Sequence, residues 1–239
     1  MLSKSQVKLI TSLKQKKYRL LHGLFVVEGV KTIQELLQSK LKLYSLYTTE
    51  SFNIDAKKEN LISESELKRI SFLKTPNKAL AVFRIPDAQP INDSNLILAL
   101  DELQDPGNLG TIIRLCDWFG IRDLVCSKAT VDCYNPKVIQ ATMGSISRVN
   151  ISYVDLSDYL KKTKLPIFGA FMDGDSVYKS SLPEKGILVM GNEGNGISHE
   201  IKSLTNERIS IPRFGNIQAT ESLNVAMATA ILLSEFKRG

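Results

Sequence analysis

The chain has 239 residues, 43% of them hydrophobic and 23% charged, with a formal net charge of +6. This supplies apolar material for one large or two ordinary folded domains and excludes global disorder. No apolar run approaches the roughly 18 residues of a membrane span, and the start, Met1-Leu-Ser-Lys, lacks the apolar core and small-residue cleavage site of a secretory signal.

The charge is unevenly spread. Residues 1–90 carry 16 Lys/Arg against 8 Asp/Glu, while residues 91–239 carry 15 against 17. The excess is densest where Lys4, Lys8, Lys14, Lys16, Lys17 and Arg19 precede the first acid, Glu28. Such a cluster is either a solvated helix face or a phosphate-binding surface. Lys14, Lys16, Lys17 and Arg19 are the RNA-contacting candidates. Cys116, Cys126 and Cys133 are too few and wrongly spaced for a disulfide framework or a zinc site. They are expected as buried thiols of a cytoplasmic protein.

In chain order, a basic helix is predicted from about Lys4 to Lys16, then a strand at Leu24–Val27 and a helix near Val30–Gln38. A strand follows at Leu43–Thr48, a helix begins at Ser63 with Ser63 and Glu66 spaced as a capping box, and Ala79–Ile85 closes the half. Strands alternating with helices indicate a small α/β sandwich. Pro86-Asp-Ala-Gln-Pro-Ile-Asn-Asp-Ser94 reads as a linker. The expected division is a first domain over 1–88, a linker over 89–95 and a second domain over 96–239.

Beyond the linker, apolar runs at Leu96–Leu100, Leu124–Cys126, Ile167–Met172, Ile187–Met190 and Ile209–Ile211 alternate with helical patterns. Those patterns lie at Thr111–Phe119, Pro136–Met143, Leu156–Lys162 and Ser198–Leu204. Near-continuous apolar strands separated by helices predict an α/β fold with a parallel sheet covered on both faces. Ligands of such sheets bind beyond the carboxyl ends of the strands.

Three strand-to-helix segments stand out. In Asp101-Glu-Leu-Gln-Asp-Pro-Gly-Asn-Leu-Gly-Thr-Ile-Ile-Arg114, a tight turn is expected to feed a helix at Thr111. Arg114 would then lie in the first helical turn, where the macrodipole disfavours a cation unless it has a particular partner. Asp101, Glu102 and Asp105 lack an accompanying phosphate loop, so no metal site is expected. In Met190-Gly-Asn-Glu-Gly-Asn-Gly-Ile197, three glycines allow close backbone approach to a ligand, and the order differs from a dinucleotide-binding fingerprint. In the last segment, Ile209 to Phe236, a strand enters a polar loop with Glu221, Ser222 and Asn224 and then a small-residue helix. The plain reading there is a helix capped by Thr220 or Ser222, with Leu223, Met227 and Ile231 packed at helical spacing.

Together the three segments resemble the sequence motifs of the SpoU (TrmH) branch of the SPOUT RNA methyltransferases. Asn108-x-Gly110-x-x-x-Arg114 resembles the first motif and Gly191-x-Glu193-x-x-Gly196-Ile197 the second. Ile211-Pro212, Gly215 and Glu221-Ser-Leu-Asn-Val225 resemble the third, and the likeness spans 95–239. Phe25-Val-Val-Glu-Gly29 and Glu35-Leu-Leu give the first half the look of the substrate-binding domain that often precedes this catalytic domain. One departure is the five residues Asn216–Thr220 between Gly215 and Glu221, where the family commonly has two; another is Arg213 in place of a frequent apolar residue.

The resemblance implies a deep C-terminal trefoil knot that binds S-adenosylmethionine, with Gly191, Asn192, Ile211 and Leu223 against the cofactor. It implies methyl transfer to a ribose 2′-hydroxyl of RNA. Arg114 would stabilise the alkoxide, Asn108 and Glu193 would orient Arg114 and the loops, and Ser222 and Asn224 would position the ribose or the cofactor's carboxylate end. A homodimer is implied, with Ala226, Ala228 and Ala230 allowing close subunit packing. The added first domain favours ribosomal RNA over tRNA; a non-catalytic RNA-binding or ribosome-assembly factor is the reading from another class. No membrane partner and no metal are expected.

Overall fold

The computed structural model describes residues 1–216 and 222–238. The chain divides into two compact units, Met1–Asp87 with Asp132–Ser147, and Ala88–Val131 with Arg148–Gly239.

The first unit begins with two helices, α1 (Lys4–Ser12) and α2 (Lys16–His22), where the sequence predicted one. Leu13 ends α1, and Gly23 ends α2 in the left-handed conformation that favours glycine. Strand β1 (Leu24–Glu28), α3 (Val30–Leu37), β2 (Leu43–Thr48), β3 (Glu59–Leu61), α4 (Glu64–Ile70) and β4 (Ala79–Arg84) follow. The capping box expected at Ser63 and Glu66 is present. The sheet order is β1-β4-β2-β3. β3 is short and polar, which hid it from a reading based on apolar runs.

Strand alternation puts Leu24 and Val26 in one core with Ile10 of α1, Leu13 just beyond it, and Leu67 and Ile70 of α4. Phe25 between them stacks on Phe83 and lies 4.8 Å from the Tyr134 ring. Glu28, drawn up by burial, accepts hydrogen bonds from the Ser71 hydroxyl and the Phe72 amide and so ties the end of α4 to β1.

The segment Asp132–Ser147, with a helix over Pro136–Thr142, belongs by contact to this unit and not to the second domain expected from the sequence. The reasons are the Phe25–Tyr134 contact and a buried ion pair. Arg19 is only 2% exposed. Its guanidinium donates to Asp132 through Nε at 2.9 Å and to the carbonyls of Leu13 and Lys14 at 2.8 and 2.9 Å. Arg19 therefore holds the chain together and is not part of an RNA-facing surface; a run of cations in sequence does not show which one faces inward. Lys14, Lys16 and Lys17 remain exposed.

The second unit holds a six-stranded parallel sheet in the order β10-β8-β9-β5-β6-β7. Its strands are β5 (Leu96–Leu100), β6 (Asp123–Ser127), β7 (Asn150–Val154), β8 (Ile167–Ser176), β9 (Gly186–Met190) and β10 (Glu207–Ser210). Its helices are α5 (Pro106–Trp118), α7 (Leu156–Lys162), α8 (His199–Lys202) and α9 (Val225–Lys237), and α6 is the Pro136–Thr142 helix of the first unit. β7 was not predicted, because its polar residues interrupt the apolar signal and all five positions are half-buried. One face of the sheet packs Ile97, Ala99, Ile187 and Val189 against Leu156, Leu160 and Ile201. On the other, α5 packs on α9, and Phe168 meets Phe236 edge to face at 5.3 Å. The α/β class and the parallel sheet agree with the sequence reading. Because the strands are parallel, the segments after β5, β9 and β10 all leave the sheet at the carboxyl ends of its strands. Among the described residues, no helix is long and apolar enough to cross a membrane.

Removing one partner of a buried ion pair leaves the other charge uncompensated, a cost of about 3–5 kcal/mol. Asp132→Ala is expected to lose that much in urea unfolding of the full chain; a loss under about 1 kcal/mol, the range of exposed pairs, would show that Arg19 is not buried in solution.

Candidate active site

Helix α5 starts at Pro106, five residues before the predicted Thr111. Asp105 is its N-cap, accepting from the Asn108 amide at 2.8 Å, and Pro106 occupies the first helical position. Asp-Pro-Gly thus opens a helix, which a turn reading overlooked. Arg114 consequently sits in the third turn, so the macrodipole does not disfavour it there.

The N-cap of α9 is Asn224, not the expected Ser222, and Thr220 lies outside the described residues; the Asn224 Oδ1 accepts from the Ala226 and Met227 amides at 2.9 and 3.3 Å. This leaves the Asn224 Nδ2 free to donate to Asn108 Oδ1 at 2.9 Å. Asn108 Nδ2 in turn donates to Glu193 Oε1 at 3.1 Å. Glu193 completes the chain by accepting from the Gln104 and Asp105 amides at 3.1 and 2.9 Å. One continuous network therefore joins the segments after β5, β9 and β10.

The glycine-bearing loop is closed on itself. Asn192 and Gly196 exchange backbone hydrogen bonds at 2.8 and 2.9 Å. Asn192 Oδ1 accepts from the Gly194 and Asn195 amides, and its Nδ2 donates to the Glu102 carbonyl at 2.8 Å. A Cβ on Gly191 would lie 2.1 Å from the Gly196 carbonyl carbon, so only glycine fits. Gly196 itself has φ +67 and open space where a Cβ would be.

Several residues that fix the site were missed or misread from sequence. Asp101, weighed only as a metal ligand, is 3% exposed and accepts from the Ser198 amide at 2.8 Å, pinning the far end of the glycine loop. Glu102 adopts the left-handed region with φ 57, aiming its carbonyl at Asn192 and Gln104. Gln104 also donates to the Ala129 carbonyl at 2.7 Å. Only the Asp-Pro pair of Asp105-Pro106 carried a local signal, that of an N-cap. Among the described residues, no group of three His, Cys, Asp or Glu could hold a metal ion.

Arg114 stands apart from this network. It is exposed and, among the described residues, has no hydrogen bond or ion pair. Six residues of helix set it about 9 Å along the axis and roughly 120° around from Asn108. Among the described residues, neither Asn108 nor Glu193 makes a hydrogen bond to Arg114. Trp118, one turn further and on the same stripe, is 84% exposed. Ile211 is half-buried, Leu223 is 49% exposed and Ser222 is exposed. Ala226 is 2% exposed, so it packs inside its own chain. Glu221 and the Ile217–Thr220 part of the lengthened loop lie outside the described residues.

Burial raises the Glu193 carboxyl, but hydrogen bonds from the Asp105, Glu193 and Gln104 amides and Asn108 outweigh it and leave it below the ordinary 4.5. A carboxylate depressed in the folded state stabilises above its unfolded value and loses that contribution as pH falls through the folded one. Hydrogen exchange at the Gln104 and Asp105 amides is therefore expected to stay slow at neutral pH and to quicken, relative to intrinsic rates, well below pH 4.5. Glu193→Gln should show faster exchange already at pH 7; equal protection in both proteins at pH 7 would contradict the network.

Comparison with known proteins accords with this geometry. Residues 95–234 match the model of the SpoU rRNA Methylase family, and residues 4–81 match the MRM3-like substrate binding domain. The 23S rRNA (guanosine(2553)-2′-O)-methyltransferase RlmP of Bacillus subtilis is 29% identical over 228 residues, covering 91% of this chain and 90% of that protein. A putative RNA methyltransferase of the TrmH family from Porphyromonas gingivalis has a solved structure that superposes with a TM-score of 0.88 at 40% identity, covering 100% of this chain and 99% of the other. An AdoMet-bound rRNA methyltransferase from Sinorhizobium meliloti superposes with a TM-score of 0.87 at 28% identity over 100% of this chain and 97% of its own. The chain belongs to the SpoU rRNA methylase family.

Proposed function

We propose that this protein transfers a methyl group from S-adenosylmethionine to a ribose 2′-hydroxyl of ribosomal RNA. The observation that carries the reading is the Asn224–Asn108–Glu193 network, which joins all three family motifs beyond the carboxyl ends of the parallel strands. The full-length likeness to a 23S rRNA 2′-O-methyltransferase and the exposed Lys14, Lys16 and Lys17 favour ribosomal RNA as substrate.

The residues fit the cofactor. Backbone groups of a glycine loop that tolerates no side chain at Gly191, together with Asn192 and the apolar Ile211 and Leu223, suit an adenosine moiety held mostly by main chain, within the trefoil knot of this family. S-Adenosylmethionine supplies a methyl group already activated by its positive sulfur. The protein then has to align the ribose oxygen and manage its proton. Ser222 and Asn224 flank the place where the ribose would lie, while Asn108 and Glu193 hold the loops. Arg114 stabilises the developing alkoxide; as a permanently charged guanidinium it is a poor proton acceptor.

Because Arg114 is exposed about 120° around α5 from Asn108 and makes no hydrogen bond or ion pair among the described residues, it serves the site of a second copy in a homodimer. Its stripe with Trp118, and the 60% exposed Met227 on the adjacent α9, form the apolar face that such a pairing would cover.

Two experiments test this. Removing a positioned oxyanion-stabilising group costs about 100- to 1,000-fold in rate. Arg114→Ala is thus expected to lose methyl transfer to ribosomal RNA by that factor, with cofactor affinity unchanged by calorimetry; retained transfer would end the assignment. The unsubstituted protein is expected to sediment as a dimer and Trp118→Glu as an inactive monomer. A fully active monomer would contradict cross-subunit catalysis.

A further inference from the structure

Two aromatic rings near the site have no role in anything described above. Tyr178 and Phe214 face each other with ring centroids 6.2 Å apart and planes inclined by 34°. Both are exposed, Phe214 at 81% and Tyr178 at 39%. A single exposed apolar side chain needs no explanation, but a pair of facing rings left in water does.

Their place in the fold is informative. Tyr178 lies in the one-turn helix Val177–Lys179 that follows β8, and Phe214 lies in the segment that follows β10. β10, β8, β9 and β5 are consecutive in the sheet, so both rings sit at the strand ends from which the motif loops emerge. Val177 is 1% exposed and its turn packs on α9, which gives Tyr178 a rigid mount. Phe214 is three residues from Ile211, and the exposed cations Arg213 and Lys179 are its neighbour and that of Tyr178. Exposed rings beside cations present a surface for a base face and its phosphate.

We propose that Tyr178 and Phe214 form a stacking platform for an unstacked base of the RNA segment that carries the target ribose. A ribose inside a regular duplex is not free to align with a buried methyl donor, and holding a neighbouring base out of its stack would keep the target strand open. Stacking recognises a base face without reading its edge, so the platform sets affinity and strand geometry and leaves base identity to other contacts. The positive charge of the exposed Lys179 beside Tyr178 favours RNA over a second copy of the chain as the occupant.

This rests on the RNA methyl-transfer reading, and the test separates the two. Methyl transfer to ribosomal RNA from cells lacking the gene is measured with the full-length protein and with Phe214→Ala, Tyr178→Ala, Phe214→Trp and Tyr178→Phe. Each alanine variant is expected to raise KM for RNA roughly 10-fold, from the loss of one stacking partner, with kcat and cofactor affinity little changed. The two variants that keep a ring should behave as the unsubstituted protein, and sedimentation should not change. An active unsubstituted protein with unaltered KM in both alanine variants would overturn the platform alone. A change in sedimentation on Phe214→Ala would overturn it by showing the rings to be a contact between copies. An inactive unsubstituted protein would remove the methyl-transfer reading and the platform with it.

Discussion

The Glu193 carboxylate is the constraint on which the site depends. It accepts two backbone amides at the start of α5 and the side chain of Asn108, and Asn108 accepts the side chain that caps α9. Each group is spent twice: Asn224 caps a helix and reaches a neighbour, and Asp105 caps α5 while its own amide feeds Glu193. A charge-assisted hydrogen bond is stronger than a neutral one. A single exposed surface pair would contribute little, but Glu193 joins three separate stretches of chain, so its loss would loosen all of them together. Fixing donors before substrate arrives is what electrostatic catalysis requires.

The parallel sheet was legible in the sequence because its strands are nearly continuous apolar runs. Val125, Ile187 and Leu188 have no solvent-exposed face, so nothing interrupts the signal. β3 and β7 escaped because half-buried polar strands carry no such run. The helix starts were misplaced for a different reason. Pro106-Gly107 supports a turn or a first helical turn equally well by composition, and the Asp105 cap decides between them only in three dimensions. Likewise Thr220, Ser222 and Asn224 are all good capping residues, and the one that caps is the one that also meets Asn108.

Arg19 shows where charge counting stops. The first half is basic as a whole, yet its most basic stretch contains one guanidinium that binds Asp132 and two carbonyls in the interior. Nothing in the local sequence separates Arg19 from Lys16 or Lys17, because its partner lies 113 positions away. The same long-range pairing takes Asp132–Ser147 out of the second domain's sequence span and into the first compact unit. The site residues divide in the same way. Asn108, Glu193 and Asn224 come together within one chain, whereas Arg114 makes no hydrogen bond or ion pair among the described residues.

The reaction proposed for this chain is 2′-O-methylation of a ribose in ribosomal RNA. The most direct measurement is a map of 2′-O-methylated riboses in total RNA from cells with and without the gene. With ribosomal RNA as the substrate, a ribosomal RNA methylation disappears with the gene and returns when it is restored. Identical maps, or a loss confined to tRNA, would contradict it.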